Sequence, residues 1–123
     1  MTFRRIHLGQ KGEDLAVLYL KEKGYEILER NVRGPRGEID IVARDQDTIC
    51  FIEVKTRSSD ARGMPAEAVL FSKQKKLAYL ALNYIKSKQL EENRLRFDVV
   101  SVFWEQNSPA KVELIQNAFE VNY

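Results

Sequence analysis

The sequence predicts a mixed α/β domain, one mixed β-sheet flanked by two long helices in the order α-β-β-β-α-β-β. Three observations predict it. Apolar residues recur at helical spacing in two segments, at Leu15, Ala16, Tyr19 and Leu20 and at Leu77, Leu80, Ala81, Tyr84 and Ile85. Between them, two largely apolar runs, Gly37–Asp45 and Thr48–Thr56, flank a two-residue turn, as in an antiparallel hairpin. Two more strand-like runs follow the second helical segment, and strands separated by a long helix usually join one sheet by a crossover. The 123 residues suit a single domain, 1–123, whose core needs no staples.

The first helix is expected from Gly9 to Lys23, with Gly24 as its C-terminal stop. Tyr25 to Arg33 mixes aromatic and branched residues and suggests a first strand. Gly34-Pro-Arg-Gly37 is a turn by composition and leads into the hairpin. Arg57 to Pro65 is polar and reads as a mobile loop, after which Pro65–Val69 could open a short helical turn. Ser72 is the expected N-cap of a second helix reaching about Lys88. Arg94–Trp104 and Lys111–Phe119 supply the last two strands. There is no internal repeat, linker or low-complexity segment.

If the hairpin loop is Gln46-Asp47, Asp45 pairs with Thr48 and the remaining pairs follow by counting. Ile41 then faces Ile52, Ile39 faces Val54 and Ala43 faces Cys50, one unbroken apolar face. The other face pairs Arg44 with Ile49, Val42 with Phe51, Asp40 with Glu53 and Glu38 with Lys55. Two carboxylates directly opposite repel each other, and a hairpin built only for stability prefers opposite charges. A bound cation is the usual offset.

Composition narrows the partners. With 44% hydrophobic and 31% charged residues the chain is ordinary globular, and its net charge of +2 permits a polyanionic partner without demanding one. The single cysteine, Cys50, falls on the apolar face and reads as a buried structural thiol. The N-terminus begins with charge but no apolar stretch follows, so it does not read as a signal peptide. No apolar run approaches the roughly 20 residues that cross a bilayer. The expectation is a cytoplasmic protein that does not engage membranes.

Mg2+ or Mn2+ prefers carboxylate oxygens and keeps several waters, so Asp40, Glu53 and a backbone carbonyl suffice to hold one. Cys50 and the lone His7 do not converge into a zinc set. Lys55 emerges on the face of Glu53, about 7 Å along the strand. There it can orient an attacking water or stabilise charge developing on a phosphate. Without a cation, the same charges would be a solvated patch at a sheet edge.

Gly37-Glu-Ile-Asp40 followed, after twelve intervening residues, by Glu53-Val-Lys-Thr-Arg57 resembles the PD-(D/E)xK nuclease superfamily. More closely, it resembles the YraN-like family of small endonuclease-like proteins, related in fold to archaeal Holliday junction resolvases. The likeness extends over Gly9-x-x-Gly12-Glu13, Gly24-Tyr25, Asn31, Pro65-x-Glu67-Ala-Val69 and Phe97-Asp98-Val-Val100. Ile39 stands where the superfamily's name has proline. The resemblance implies a restriction-endonuclease-like fold that hydrolyses DNA phosphodiester bonds, with structure rather than sequence, such as branched DNA, as the feature recognised. Asp40 and Glu53 would be metal ligands, Lys55 the catalytic lysine, and Glu13 the helical glutamate that resolvase-like members add. Glu13 lies on the margin of the first helix's buried stripe, where Gly9 and Gly12 allow close approach to the sheet. As a first-turn acid it would equally suit the helix dipole in solvent.

The start of the second helix, Ser72-Lys-Gln-Lys-Lys76, sets lysines against the helix dipole, a conflict that a phosphate would remove. Lys73, Gln74 and Lys76 are therefore candidate nucleic-acid contacts. Arg30, Arg33 and Arg36 cluster at the Gly34-Pro35 turn, and Arg57 and Arg62 flank the polar loop. Together these could follow a phosphate backbone, a contact independent of sequence. Asp98, inside an apolar strand, reads as a structural ion-pair member rather than a third ligand. A small domain acting on a two-fold junction gains from pairing, so a homodimer is an expectation, although no heptad seam is visible to mediate it. The rival readings are a catalytically silent nucleic-acid-binding module and a subunit of a DNA-processing complex.

Overall fold

A computed structural model describes residues 3–58, 71–104 and 108–120, with side chains described except at 3–10, 58 and 71. The elements are α1 (Phe3–Glu22), β1 (Glu26–Gly34), β2 (Gly37–Asp45), β3 (Thr48–Ser58), α2 (Phe71–Ser87), β4 (Arg94–Trp104) and β5 (Lys111–Phe119). The expected order holds, with three adjustments. α1 begins at Phe3 rather than Gly9, because the sequence before Gly9 carries no breaker. β3 extends through Arg57, past the expected end at Thr56. α2 already includes Phe71, so Ser72 lies inside the helix and is not its N-cap. Arg62 and the turn expected at Pro65–Val69 lie outside the described residues.

The five strands form one sheet in the order β1-β2-β3-β4-β5, and α2 is the crossover that makes β3 and β4 parallel while the other pairs are antiparallel. Each face of the sheet buries a separate cluster. On one, Ala16, Val17 and Leu20 of α1 pack on Ile41, Ala43, Cys50, Ile52, Val100 and Val102. On the other, Leu77, Leu80, Ala81, Tyr84 and Ile85 of α2 cover Ile39, Val42, Ile49, Phe51, Phe97 and Val99. The central strands are thus apolar on both faces, as strands beside a parallel pair must be.

The hairpin register is as counted from Asp45–Thr48 to Ile41–Ile52, and there the β2–β3 ladder ends. The pairs expected beyond it, Asp40–Glu53, Ile39–Val54 and Glu38–Lys55, do not form. Side-chain alternation also breaks at Asp40, since Ile41 joins the α1 face and Ile39 the α2 face. β1 breaks with it. Arg30 pairs with Ile41 and Val32 with Ile39, so Asn31 lies opposite Asp40 by count, and Val32 packs on the α2 face with Ile39. Asn31 has φ 55, in the left-handed region that asparagine tolerates better than most residues. Both strands therefore turn over at one place. Of the four residues expected to be buried, Ile39, Ile41 and Ile52 are fully so, and Val54, at the opened end, is half-buried.

No helix among the described residues is long and apolar enough to cross a membrane.

Candidate active site

The break at Asp40 is what builds the site. Val54 N–H, having lost its ladder partner on β2, donates instead to Asp40 Oδ2 at 2.8 Å. A side-chain carboxylate takes the place of a backbone carbonyl, because a backbone donor away from water must be satisfied. Asp40 is thereby fixed in the gap between two strands.

Glu53 follows Ile49 and Phe51 on the α2 side of β3 and is 7% exposed. Its Oε1 lies 2.6 Å from the Lys73 ammonium on the first turn of α2. Its Oε2 is buried without a hydrogen-bond partner among the described residues. An orphaned, buried carboxylate oxygen is costly, about 1–3 kcal/mol or more for a charged group, and is uncommon unless something else occupies the site.

Glu13 arrives from α1, on the opposite face of the sheet. Gly12 makes that possible, because a Cβ there would collide with the Thr56 hydroxyl. The Glu13 carboxylate oxygen Oε1 accepts hydrogen bonds from Arg30 Nε and Asn31 Nδ2, both at 3.1 Å. Neither the arginine–glutamate pair nor the asparagine contact was anticipated from sequence.

Asp40 registers all these charges. Its pKa is raised from the usual carboxylate range to about 7, chiefly by burial, next by the charge of Glu53 and to a lesser degree by that of Glu13. The Val54 hydrogen bond and the Lys73 charge act in the opposite direction. Asp40 is therefore within electrostatic reach of both Glu53 and Glu13, although the three come from different elements. They are not drawn together as a finished cage, since among the described residues no group of three or more His, Cys, Asp or Glu is placed to hold a metal ion.

The remaining predicted residues do not converge on one place. Lys55 is half-buried on β3, two residues past Glu53 and beside Ser101 of β4. Arg57 is half-buried near the end of the same strand. Arg36, Lys73 and Lys76 line one cavity of about 250 Å3 together with Ser72 and Glu38. Gln74 is half-buried on α2 and does not line it. The Arg36 guanidinium lies over the Tyr79 ring at 5.9 Å. Arg33 is spread to solvent and paired with Glu38 at 3.1 Å, so part of its charge is already answered. Lys73, read from sequence as a phosphate contact, is committed to Glu53. A lysine that opposes a helix dipole was the signal, but the anion satisfying it is a side chain of the protein.

Asp98 is fully buried and structural, as expected. It accepts from Arg96 Nε at 2.8 Å, Arg96 Nη2 at 2.9 Å, the Tyr25 hydroxyl at 3.2 Å and Asn117 N–H at 2.9 Å. Cys50 is buried against the same network, and burial pushes its thiol up to about 12, out of reach of thiolate chemistry.

A family model described as "Uncharacterised protein family UPF0102" matches residues 12–102, a span that contains Glu13, Asp40, Glu53, Lys55 and Lys73. Among relatives, a UPF0102 protein of Syntrophus aciditrophicus is 46% identical over all of this chain and 98% of its own length. One of Thermodesulfovibrio yellowstonii is 50% identical over 94% of this chain and 97% of its own length. One of Geobacter metallireducens is 46% identical over the whole of both chains. With that match and these identities, the chain belongs to the UPF0102 family, the YraN-like family that its motifs suggested.

Proposed function

We propose that this chain is a metal-dependent endonuclease of the PD-(D/E)xK type, which hydrolyses DNA phosphodiester bonds with Mg2+ or Mn2+ and selects DNA by structure, such as branching, rather than by sequence. The observation that carries this reading is the buried Glu53 carboxylate, with one oxygen on the Lys73 ammonium and the other unsatisfied, next to an Asp40 whose own charge is resisted. Repelling carboxylates of this kind suit a hard divalent cation, and the ammonium at Glu53 already stands where positive charge is wanted. Asp40 and Glu53 would hold the ion and Glu13 would complete the set. When bound, such an ion lowers the pKa of a water and polarises the phosphoryl oxygens. Lys55 would hold the attacking water or the phosphate, and Arg36 and Lys76 would steady the DNA backbone at the adjoining cavity. Pairing into a homodimer would suit a two-fold junction.

One observation favours a second reading. Because Lys73 already neutralises Glu53, the site is tolerable without any metal, as it would be in a silent nucleic-acid-binding module or a subunit that becomes active only with a partner. Purified protein with supercoiled, branched and linear DNA, with and without Mn2+, separates these. Cleavage that requires Mn2+ and is lost in Glu53→Gln supports the nuclease. Binding without cleavage under all conditions removes the proposal for the isolated chain.

A further inference from the structure

Asn31 occupies a place where a strand would normally hold an extended, side-chain-neutral residue. It is in the interior of β1, it has φ 55, and it lies opposite Asp40 at the turnover shared by both strands. A non-glycine residue in the left-handed region costs energy that the surroundings must offset. The turnover alone does not call for an amide, since glycine would meet the backbone demand. What the amide adds is a bond across 18 residues of sequence, from Nδ2 to Glu13 Oε1 at 3.1 Å, tying β1 to α1.

Arg30 donates to the same oxygen, but it is a different kind of holder. Its Nη2 also donates to Asp14 Oδ1 at 2.8 Å, so it is shared, and its positive charge competes with any cation for Glu13. The Asn31 amide is neutral and is shared with no other acceptor among the described residues. It can fix the carboxylate without discharging it. Two donors on a single oxygen also set the orientation of the carboxylate group.

We propose that Asn31 is a positioning residue, whose left-handed backbone serves to aim its amide at Glu13 and so holds that carboxylate as the third member of the Asp40–Glu53 cation site. This rests on the metal reading above and adds the device that makes Glu13 part of it.

The test is calorimetric titration with Mn2+ alone on the wild type, Asn31→Gly, Glu13→Gln and the double variant, with thermal melts of each without metal. Asn31→Gly removes the donor and keeps the backbone conformation, so its melt should stay near that of the wild type. Its Mn2+ affinity should fall about tenfold or more, as for other groups that orient metal ligands. Glu13→Gln should fall at least as far, and the double variant no further than Glu13→Gln. A merely structural asparagine would not produce that non-additivity. Asn31→Asp, which tolerates the same φ but turns the donor into a like charge, should lose more affinity than Asn31→Gly and serves if the glycine variant does not fold. Wild-type affinity in both Asn31 variants beside a weakened Glu13→Gln, or losses that add fully in the double, overturns the proposal. A wild type without Mn2+ affinity overturns the metal reading itself, and this inference with it.

Discussion

The Lys73 ammonium lies 2.6 Å from Glu53 Oε1, which ties the first turn of α2 to a buried carboxylate of β3 across the crossover. Removing the ammonium leaves the buried Glu53 carboxylate without its ion-pair partner while the nearby Asp40 repels it. Lys73→Met should therefore lower the stability of the metal-free protein by about 1–3 kcal/mol, toward the lower end because the lysine is half exposed. The same variant should gain more from Mn2+ than the wild type does, because a cation no longer has to displace the lysine from its ligand. Paired thermal melts with and without Mn2+ check both halves. A variant less stable in both conditions by the same amount would make the lysine purely structural.

The raised pKa of Asp40 makes a signed prediction. Its folded value, about 7, stands well above the ordinary 3.8 of an aspartate carboxyl, so its charged form penalises the folded state. That penalty is absent below about pH 4, grows as the pH rises toward 7 and is level above it. At 1.36 kcal/mol per pH unit it amounts to at most about 4 kcal/mol. Asp40→Asn should thus match the wild type near pH 4 and exceed it at pH 8, less the weaker bond it makes to Val54 N–H. Mn2+ should stabilise the wild type increasingly over the same interval, since the ion needs the carboxylate deprotonated. Denaturant unfolding at pH 4, 6 and 8 decides it, and a wild-type curve parallel to Asp40→Asn would place the titration elsewhere.

These effects depend on a geometry only half visible in the sequence. The register from Ile41–Ile52 to Asp45–Thr48 was legible because a two-residue turn and a period of two leave little freedom. The sheet's second covered face was also written there, in Val42, Ile49 and Phe51, which no solvated surface needs. The turnover at Asn31 and Asp40 was not legible. Counting assumes that alternation continues, and a tolerated left-handed asparagine looks like any polar residue in an edge strand. Nor could spacing reveal that Lys73, 20 residues beyond Glu53, closes on it, because that contact is made by the crossover. Glu13 was visible as a stripe-margin residue just after two glycines and through the family resemblance, but its partners Arg30 and Asn31 come from a different element and were not.

Charge reversal at the surface should discriminate among arginines. Arg36 and Lys76 line the cavity beside Lys73, whereas Arg33 is already paired with Glu38. Arg36→Glu and Lys76→Glu should each weaken DNA binding and make the slope of log affinity against log salt shallower by about 1, the value of one lost phosphate contact. Arg33→Glu should change the slope less. Its effect would come mainly from repulsion against Glu38. Fluorescence anisotropy with a labelled duplex at several salt concentrations measures all three, and equal slopes throughout would move the DNA surface away from this cavity.

Glu53 and Lys55 sit two residues apart on one strand, and the proposed chemistry gives them separable roles. Glu53→Gln keeps the side-chain shape and an acceptor for Lys73 while removing the charge a metal needs. It should abolish the stabilisation that Mn2+ gives the wild type, and metal-free stability should be unchanged or slightly higher, because the repulsion that raises the pKa of Asp40 is relieved. Lys55→Ala should keep the Mn2+ stabilisation and lose cleavage, since that ammonium serves the water or the phosphate and not the ion. Thermal melts with and without Mn2+, beside a cleavage assay on branched DNA, place the three proteins on two independent scales. If Glu53→Gln strongly destabilises the metal-free fold and the wild type gains nothing from Mn2+, the carboxylates are a structural partner for Lys73 and the nuclease reading falls.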